Sequence, residues 1–325
     1  MNATGIMDQP RPMTLVLSGS GPKYPAHVGA ALELKQQGAA FAGFVGTSGG
    51  SLVAALLASG MTDAEVLRVS RSINPQTKLD GGVARLASSL VLGFRGMPKG
   101  LYAGDAIIAE LRRHLPKTLG DCPHALRVVV FDLELGRCVV FTNRKETADG
   151  VDIRYAPTMD FAPLIMASMA LPIIFDGRRL RMKEHDGVER DQGFFADGGI
   201  GRNFAVDLFG RGRDVIGVRF VPSTSKRIIR SFVDVAAASI DGMIEAATRE
   251  HLDDATYAQT ITIADDSPLT DFNITPERAD ALIDLGRRSV HAWMARRAMQ
   301  RAADAAGERI AKAVAAGAAH RAVIG

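Results

Sequence analysis

The segment Gly46-Thr47-Ser48-Gly49-Gly50 limits what this chain can become more than any other. A Gly-x-Ser-x-Gly run puts serine on a sharp turn between a strand and a helix. There a base can reach the hydroxyl, and helix-end N–H groups point at the reacting oxygen. The outer glycines fit such a turn, because a Cβ would crowd the chain as it folds back. Glycine makes up 33 of the 325 residues, so the pentapeptide carries little weight without its flanks. Those flanks agree. Phe41-Ala42-Gly43-Phe44-Val45 is a short apolar run that reads as a buried strand. Residues 51–60 read as a mostly buried helix stopped by Gly60. The competing reading is a glycine-rich loop that only packs a helix against a sheet.

The rest of the chain alternates in the same way. Residues 14–17 read as a first strand, 18–21 as a turn, and 25–37 as a helix with Pro25 near its start and Gly38 at its stop. Thr62-Asp63-Ala64-Glu65 is a capping signal for a helix to about residue 73. Residues 105–115 form an amphipathic helix ended by Pro116. Residues 127–131 and 138–141 read as a hairpin around Leu135-Gly136. Residues 161–170 read as a helix and 171–175 as an extended segment. The charged stretch 180–192 reads as a solvated loop or hairpin, 215–220 as a strand, 228–258 as mostly helical, and 260–263 as a last strand. Thr275-Pro276-Glu277 caps a long Arg/Ala-rich helix that runs to the end. Alternating strands and helices give a three-layer α/β/α fold with a mainly parallel central sheet. We expect a disordered lead-in over 1–13 and a single α/β domain over 14–325 with a helical C-terminal tail.

Several function classes are disfavoured. A net charge of +3 and 6% aromatic residues with one Trp argue against a nucleic-acid surface. Cys122 and Cys138 have neither metal-ligand nor disulfide-framework spacing, so reduced thiols in a cytoplasmic protein are expected. Residues 1–13 lack the apolar core of a signal peptide. The most apolar stretch, 161–175, holds Pro163, Ser168 and Pro172 and is too short to span a bilayer as a helix. Any membrane contact would then be peripheral.

A nucleophilic serine needs a base and an oxyanion site. Seven histidines are available: His27, His114, His124, His185, His251, His291 and His320. None has a recognisable catalytic setting. His27 lies among apolar helix residues and reads as a packed core side chain. An acid stands out instead. Gly193-Phe194-Phe195-Ala196-Asp197-Gly198-Gly199 places Asp197 after an apolar strand and before two glycines, where a tight turn keeps the carboxylate accessible. An Asp-Gly pair that only caps its own turn is the alternative. Ser18-Gly19-Ser20-Gly21-Pro22-Lys23 lies between the first strand and a helix, and its N–H groups suit an oxyanion. It makes a poor dinucleotide fingerprint and does not have the spacing of a P-loop.

Taken together these segments resemble the patatin-like phospholipase family, over about residues 14–220. Residues 15–23 are similar to its glycine-rich oxyanion segment, and His27-Val28-Gly29 to the helix behind it. Residues 46–50 are similar to its nucleophile motif. Ala167-Ser168-Met169-Ala170-Leu171-Pro172 resembles its Ala-Ser-x-Ala-x-Pro segment. Asp197-Gly198-Gly199 with Asn203-Phe204 resembles its Asp-Gly-Gly and Asn-Phe-Pro signature. The chain departs from the pattern at Ser20 and Tyr24, where the family usually has glycine, and at Ala205, where it has proline. A serine at position 20 is expected to be strained if that position needs positive φ. Tyr24 is expected to narrow the acyl site.

The resemblance implies a lipid acyl hydrolase, of phospholipase A or carboxylesterase type, that works through an acyl-enzyme. Ser48 would be the nucleophile and Asp197 its base. Gly19, Ser20, Gly21, Lys23 and Gly49 would serve the oxyanion and substrate, with Lys23 either adding field or simply solvated. It implies a lipid or ester substrate, and neither metal nor cofactor. Two alternatives are an impaired relative that binds lipid or a partner, and an α/β-hydrolase with a Ser-His-acid triad. Against the triad, only one strand precedes that of the elbow and no His-Gly-Gly motif is present. From Arg287 to the end, eight Lys/Arg face two acids. That helix either packs on the domain or lies on an anionic lipid surface, as could the basic run 178–183.

Overall fold

The computed structural model describes residues 12–73, 80, 100–209, 214–221, 226, 229–230, 232–249, 259–267, 272 and 274–324. Most of the expected lead-in, residues 1–11, lies outside this set, as do 250–258 of the expected helix at 228–258.

The fold is a three-layer α/β/α arrangement around a mainly parallel sheet. Five parallel strands form its centre in the order β11(Thr260–Ala264), β10(Val215–Val221), β1(Met13–Leu17), β2(Phe41–Thr47), β4(Ala125–Asp132). Beyond β4 lie β5(Arg137–Thr142), antiparallel to it as the hairpin reading expects, and β6(Asp152–Tyr155). The charged stretch is a hairpin: β8(Arg178–Lys183) pairs antiparallel with β9(Glu189–Asp197). A small separate ribbon joins β3(Gly100–Tyr102) to β7(Ile173–Phe175).

The strands read as apolar runs because both sheet faces are buried. The period of two divides their side chains between two clusters. Leu15, Leu17, Phe44, Val128, Val130 and Phe141 join the larger core. Val16, Val45, Val129 and Val140 turn the other way, onto Phe204, Ala205 and Val206. The larger core is covered by α1(Tyr24–Gln36), α2(Gly49–Ala58), α3(Asp63–Ser72), α4(Asp105–His114) and α5(Phe161–Ser168). The short α6(Gly199–Arg202) follows β9, and α7(Phe232–Arg249) packs beside it. At α3 the Thr62–Glu65 capping box forms, as the sequence predicts.

The last helix, α8(Pro276–Ile324), packs closely on α1. A Cβ on Gly29 would come within 1.9 Å of the Ile283 carbonyl oxygen, and one on Gly286 within 2.0 Å of that of Ala26. Leu282, Ile283, Val290, Trp293 and Met294 are buried, whereas residues 299–309 are exposed. The basic tail therefore packs on the domain from Arg287 to Met294, about two turns. Among the described residues no helix is long and apolar enough to cross a membrane.

Candidate active site

Sheet register brings the two expected catalytic side chains together. The elbow strand β2 ends with Thr47 opposite Val129 of β4. Strand β9 reaches the same β4 and ends with Asp197 opposite Val130, the next residue. Two chain ends 149 residues apart thus meet at adjacent positions of one strand, and Ser48 Oγ donates to Asp197 Oδ2 at 2.6 Å. Ser48 is 5% exposed and Asp197 is fully buried.

The elbow is strained as its motif requires. Ser48 has φ 53° and ψ −128°, a conformation that costs a non-glycine residue about 1–3 kcal/mol. Close contacts on both sides make the strain affordable only with glycine neighbours. A Cβ on Gly46 would lie 2.4 Å from Ser51 Cα, and one on Gly50 2.3 Å from the Ser18 carbonyl oxygen. Ser168 pins the turn from above. Its hydroxyl accepts from Ser48 N–H at 3.0 Å and donates to the Val129 carbonyl at 2.7 Å. The motif around Ser168 is visible in the sequence, but this bridging role is not.

Among the described residues no cation pairs with Asp197. Its Oδ1 accepts from Gly199 N–H at 2.8 Å, and its own N–H donates to the Ala170 carbonyl at 2.9 Å. Burial pushes its pKa up to about 7, against the opposing pull of the Ser48 hydroxyl and Gly199 N–H. A carboxylate tuned so high is a far better proton acceptor than a solvated aspartate. Ser48 also sits at the positive N-terminal end of α2, which favours negative charge on its oxygen.

The loop after β1 lies beside the elbow. Leu17 pairs with Gly46, so Gly19 comes level with Ser48, and a Cβ on Gly19 would lie 3.4 Å from that of Ser48. The five expected oxyanion residues nevertheless differ in what they offer. Gly19 N–H is already bonded to the Asn203 carbonyl at 3.0 Å. Among the described residues the N–H groups of Ser20 and Gly21 find no acceptor. Gly49 opens α2, so its N–H is one of the unpaired donors of a helix start. Lys23 is turned elsewhere. Its ammonium is 3% exposed and donates to the carbonyls of Asp265 and Ser267 at 3.3 and 2.8 Å. It also lies 3.6 Å from the Asp265 carboxylate and 4.6 Å from the Phe220 ring centroid. Burial pushes its pKa down while Asp265 pulls it up. The ammonium is therefore neither solvated nor free to serve the oxyanion.

Two further expectations about this loop are corrected. Ser20 is not strained: its φ is −143°, and the positive φ falls on Gly21, at 52°. Tyr24 is spent on α3, where its buried hydroxyl lies 2.7 Å from the Ser70 carbonyl and also meets that of Ile73. His27 is a core histidine, as the sequence suggests. Its Nε2 bonds the Ser18 carbonyl at 2.9 Å, and burial pushes its pKa down to about 4. Among the described residues no histidine is hydrogen-bonded to Ser48, and no group of three or more His, Cys, Asp or Glu is placed to hold a metal ion.

A mainly parallel sheet with a nucleophile elbow at β2, an acid at the end of β9 and an N–H-lined loop after β1 defines a class of proteins, and the comparisons with known proteins agree. Residues 15–209 match the patatin-like phospholipase family, and the chain belongs to that family of lipid hydrolases. A relative in Bacillus subtilis (strain 168), the uncharacterized protein YqhO, is 30% identical over 295 residues, covering 86% of this chain and 97% of its own. Among solved structures, VipD from Legionella pneumophila aligns with a TM-score of 0.49 at 16% identity, over 88% of this chain and 67% of its own. Human GIVD cytosolic phospholipase A2 aligns with a TM-score of 0.42 at 13% identity, over 90% and 60%.

Proposed function

We propose that this protein hydrolyses carboxylic esters of lipids through a Ser48–Asp197 dyad and an acyl-enzyme. The observation that carries the proposal is the 2.6 Å bond from Ser48 Oγ to a fully buried carboxylate with no cation beside it among the described residues. Asp197 Oδ2 takes the hydroxyl proton as Ser48 Oγ attacks the ester carbonyl carbon. The N–H groups of Ser20, Gly21 and Gly49 receive the charge on the former carbonyl oxygen. Collapse of this intermediate breaks the ester C–O bond, and the departing alkoxide takes the proton from Asp197. Water then attacks the acyl-enzyme, giving a proton to Asp197. The protonated Asp197 returns it to Ser48 Oγ as the fatty acid leaves. Asp197 must be ionised at the start of each half-reaction, and a pKa near 7 leaves much of it ionised at neutral pH.

Hydrolysis of a short-chain nitrophenyl ester tests this, together with profiling of the acids released from mixed phospholipids. Ser48→Ala is expected to lower turnover by about 10⁴-fold or more while the protein stays folded. Turnover by Ser48→Ala equal to that of the wild type would refute the proposal.

A further inference from the structure

Ser20 stands where the resembled family usually has glycine, and its side chain is the unusual feature of the loop. Ser20 is fully buried, yet among the described residues its Oγ has no hydrogen-bond partner. Leaving a hydroxyl unpaired away from water costs about 1–3 kcal/mol, so such a group in a tightly packed loop asks for a ligand. Its location suggests which ligand. A Cβ on Gly49, the residue after the nucleophile, would lie 2.5 Å from both Ser20 Oγ and the Gly21 carbonyl oxygen, and 3.3 Å from Gly21 N. The hydroxyl and one of the free backbone donors therefore converge on the start of α2.

Two other buried atoms next to this loop also lack partners, Asn203 Oδ1 and His27 Nδ1. Neither has a proton to give. The Asn203 amide nitrogen is used on Thr248 Oγ1 at 2.9 Å. The His27 proton goes to the Ser18 carbonyl through Nε2, which leaves Nδ1 as an acceptor. Of the three orphans only Ser20 Oγ can donate to an anionic oxygen. Ser20 has φ −143° and ψ −3°, and a negative φ does not call for glycine, so nothing about the turn itself selects the residue there.

We propose that the Ser20 hydroxyl is a side-chain donor to the substrate's carbonyl oxygen, strengthening as that oxygen becomes anionic, beside the backbone N–H groups of the loop. The proposal rests on the ester-hydrolase reading and adds a catalytic residue to it. It makes Ser20 a functional substitution where the sequence alone leaves open whether it is a strained one. It also separates activity from stability, because removing an orphan hydroxyl relieves its burial.

The test uses the full-length chain, with Ser20→Ala and Ser20→Gly measured beside the wild type and Ser48→Ala. Both Ser20 variants are expected to lose kcat by about 10²-fold, with KM within about twofold and Tm equal to or above that of the wild type. Wild-type kcat in both variants would overturn the proposal. A loss of kcat that follows a lowered Tm in both would also overturn it, since that marks a structural role. If wild-type turnover depends on Ser48 but not on Ser20, this inference fails and the hydrolase reading stands. If the wild type turns over no faster than Ser48→Ala, both fall.

Discussion

Asp197 and Asp265 are both buried carboxylates near the loop after β1, and they have opposite fates. Among the described residues Asp197 meets a hydroxyl and a backbone N–H but no cation. These two bonds offset its desolvation only in part, and its pKa rises to about 7. Asp265 has a side chain only 7% exposed, so burial pushes in the same direction. The Ser267 hydroxyl, Arg278 and Lys23 outweigh that push and hold it below the usual carboxylate range. One acid is thereby given the pKa that the proposed base needs, and the other becomes an anchor for the loop through Lys23. What surrounds a buried carboxylate decides which it becomes.

The comparison can be broken at either acid. Asp197→Asn should cost at least about 10³-fold in kcat/KM, because the amide cannot accept the Ser48 proton as a base. It should also raise Tm at pH 8. The sign follows from linkage. With a folded pKa near 7 and an unfolded value near about 3.9, the folded state holds the extra proton between those limits. Wild-type stability therefore falls as pH rises from about 4 to about 7, and the asparagine variant loses that decline. A melt of both proteins at pH 5 and pH 8 checks it. A lower Tm for Asp197→Asn at pH 8 would contradict the assignment.

Asp265→Asn should do the reverse. Breaking a buried pair leaves Lys23 without its countercharge and should cost about 3 kcal/mol in a denaturant titration. Activity should fall less than for Asp197→Asn, and only through a looser loop. Ser168→Ala lies between the two. It leaves Ser48 N–H and the Val129 carbonyl without their shared partner, a cost of about 1–3 kcal/mol, and should lower kcat by about tenfold as the elbow loses its pin. An unchanged kcat there would show that the glycine contacts alone hold the turn.

What the sequence made legible follows from how local each signal is. The elbow and its two flanking elements were readable because the strain is written into three glycines of one pentapeptide and two apolar runs. Asp197 was readable as a strand-end acid before two glycines, although its nearness to Ser48 depends on the register of β9 on β4, which no local pattern encodes. The first half of β9 was harder to read, since its exposed residues 189–191 hide the period of two. Strands β3 and β6 went unread for similar reasons, being three and four residues long with little apolar content. Lys23 shows the limit most clearly. Its place in the loop suggests the oxyanion, but the carbonyls that claim it lie 242 and 244 residues away. The loop's composition also left open whether Ser20 or Gly21 would take the positive φ, and the fold gave it to Gly21.

The most direct test of the central claim is the rate at which a fluorophosphonate labels Ser48 as a function of pH. The dyad predicts a rate that rises with pH to a plateau with a midpoint near 7, since only ionised Asp197 can take the proton. The midpoint should stay in place in Asp265→Asn, and the titration should vanish in Asp197→Asn. A labelling rate that is flat from about pH 5 to about pH 9, or the same titration surviving in Asp197→Asn, would contradict the account.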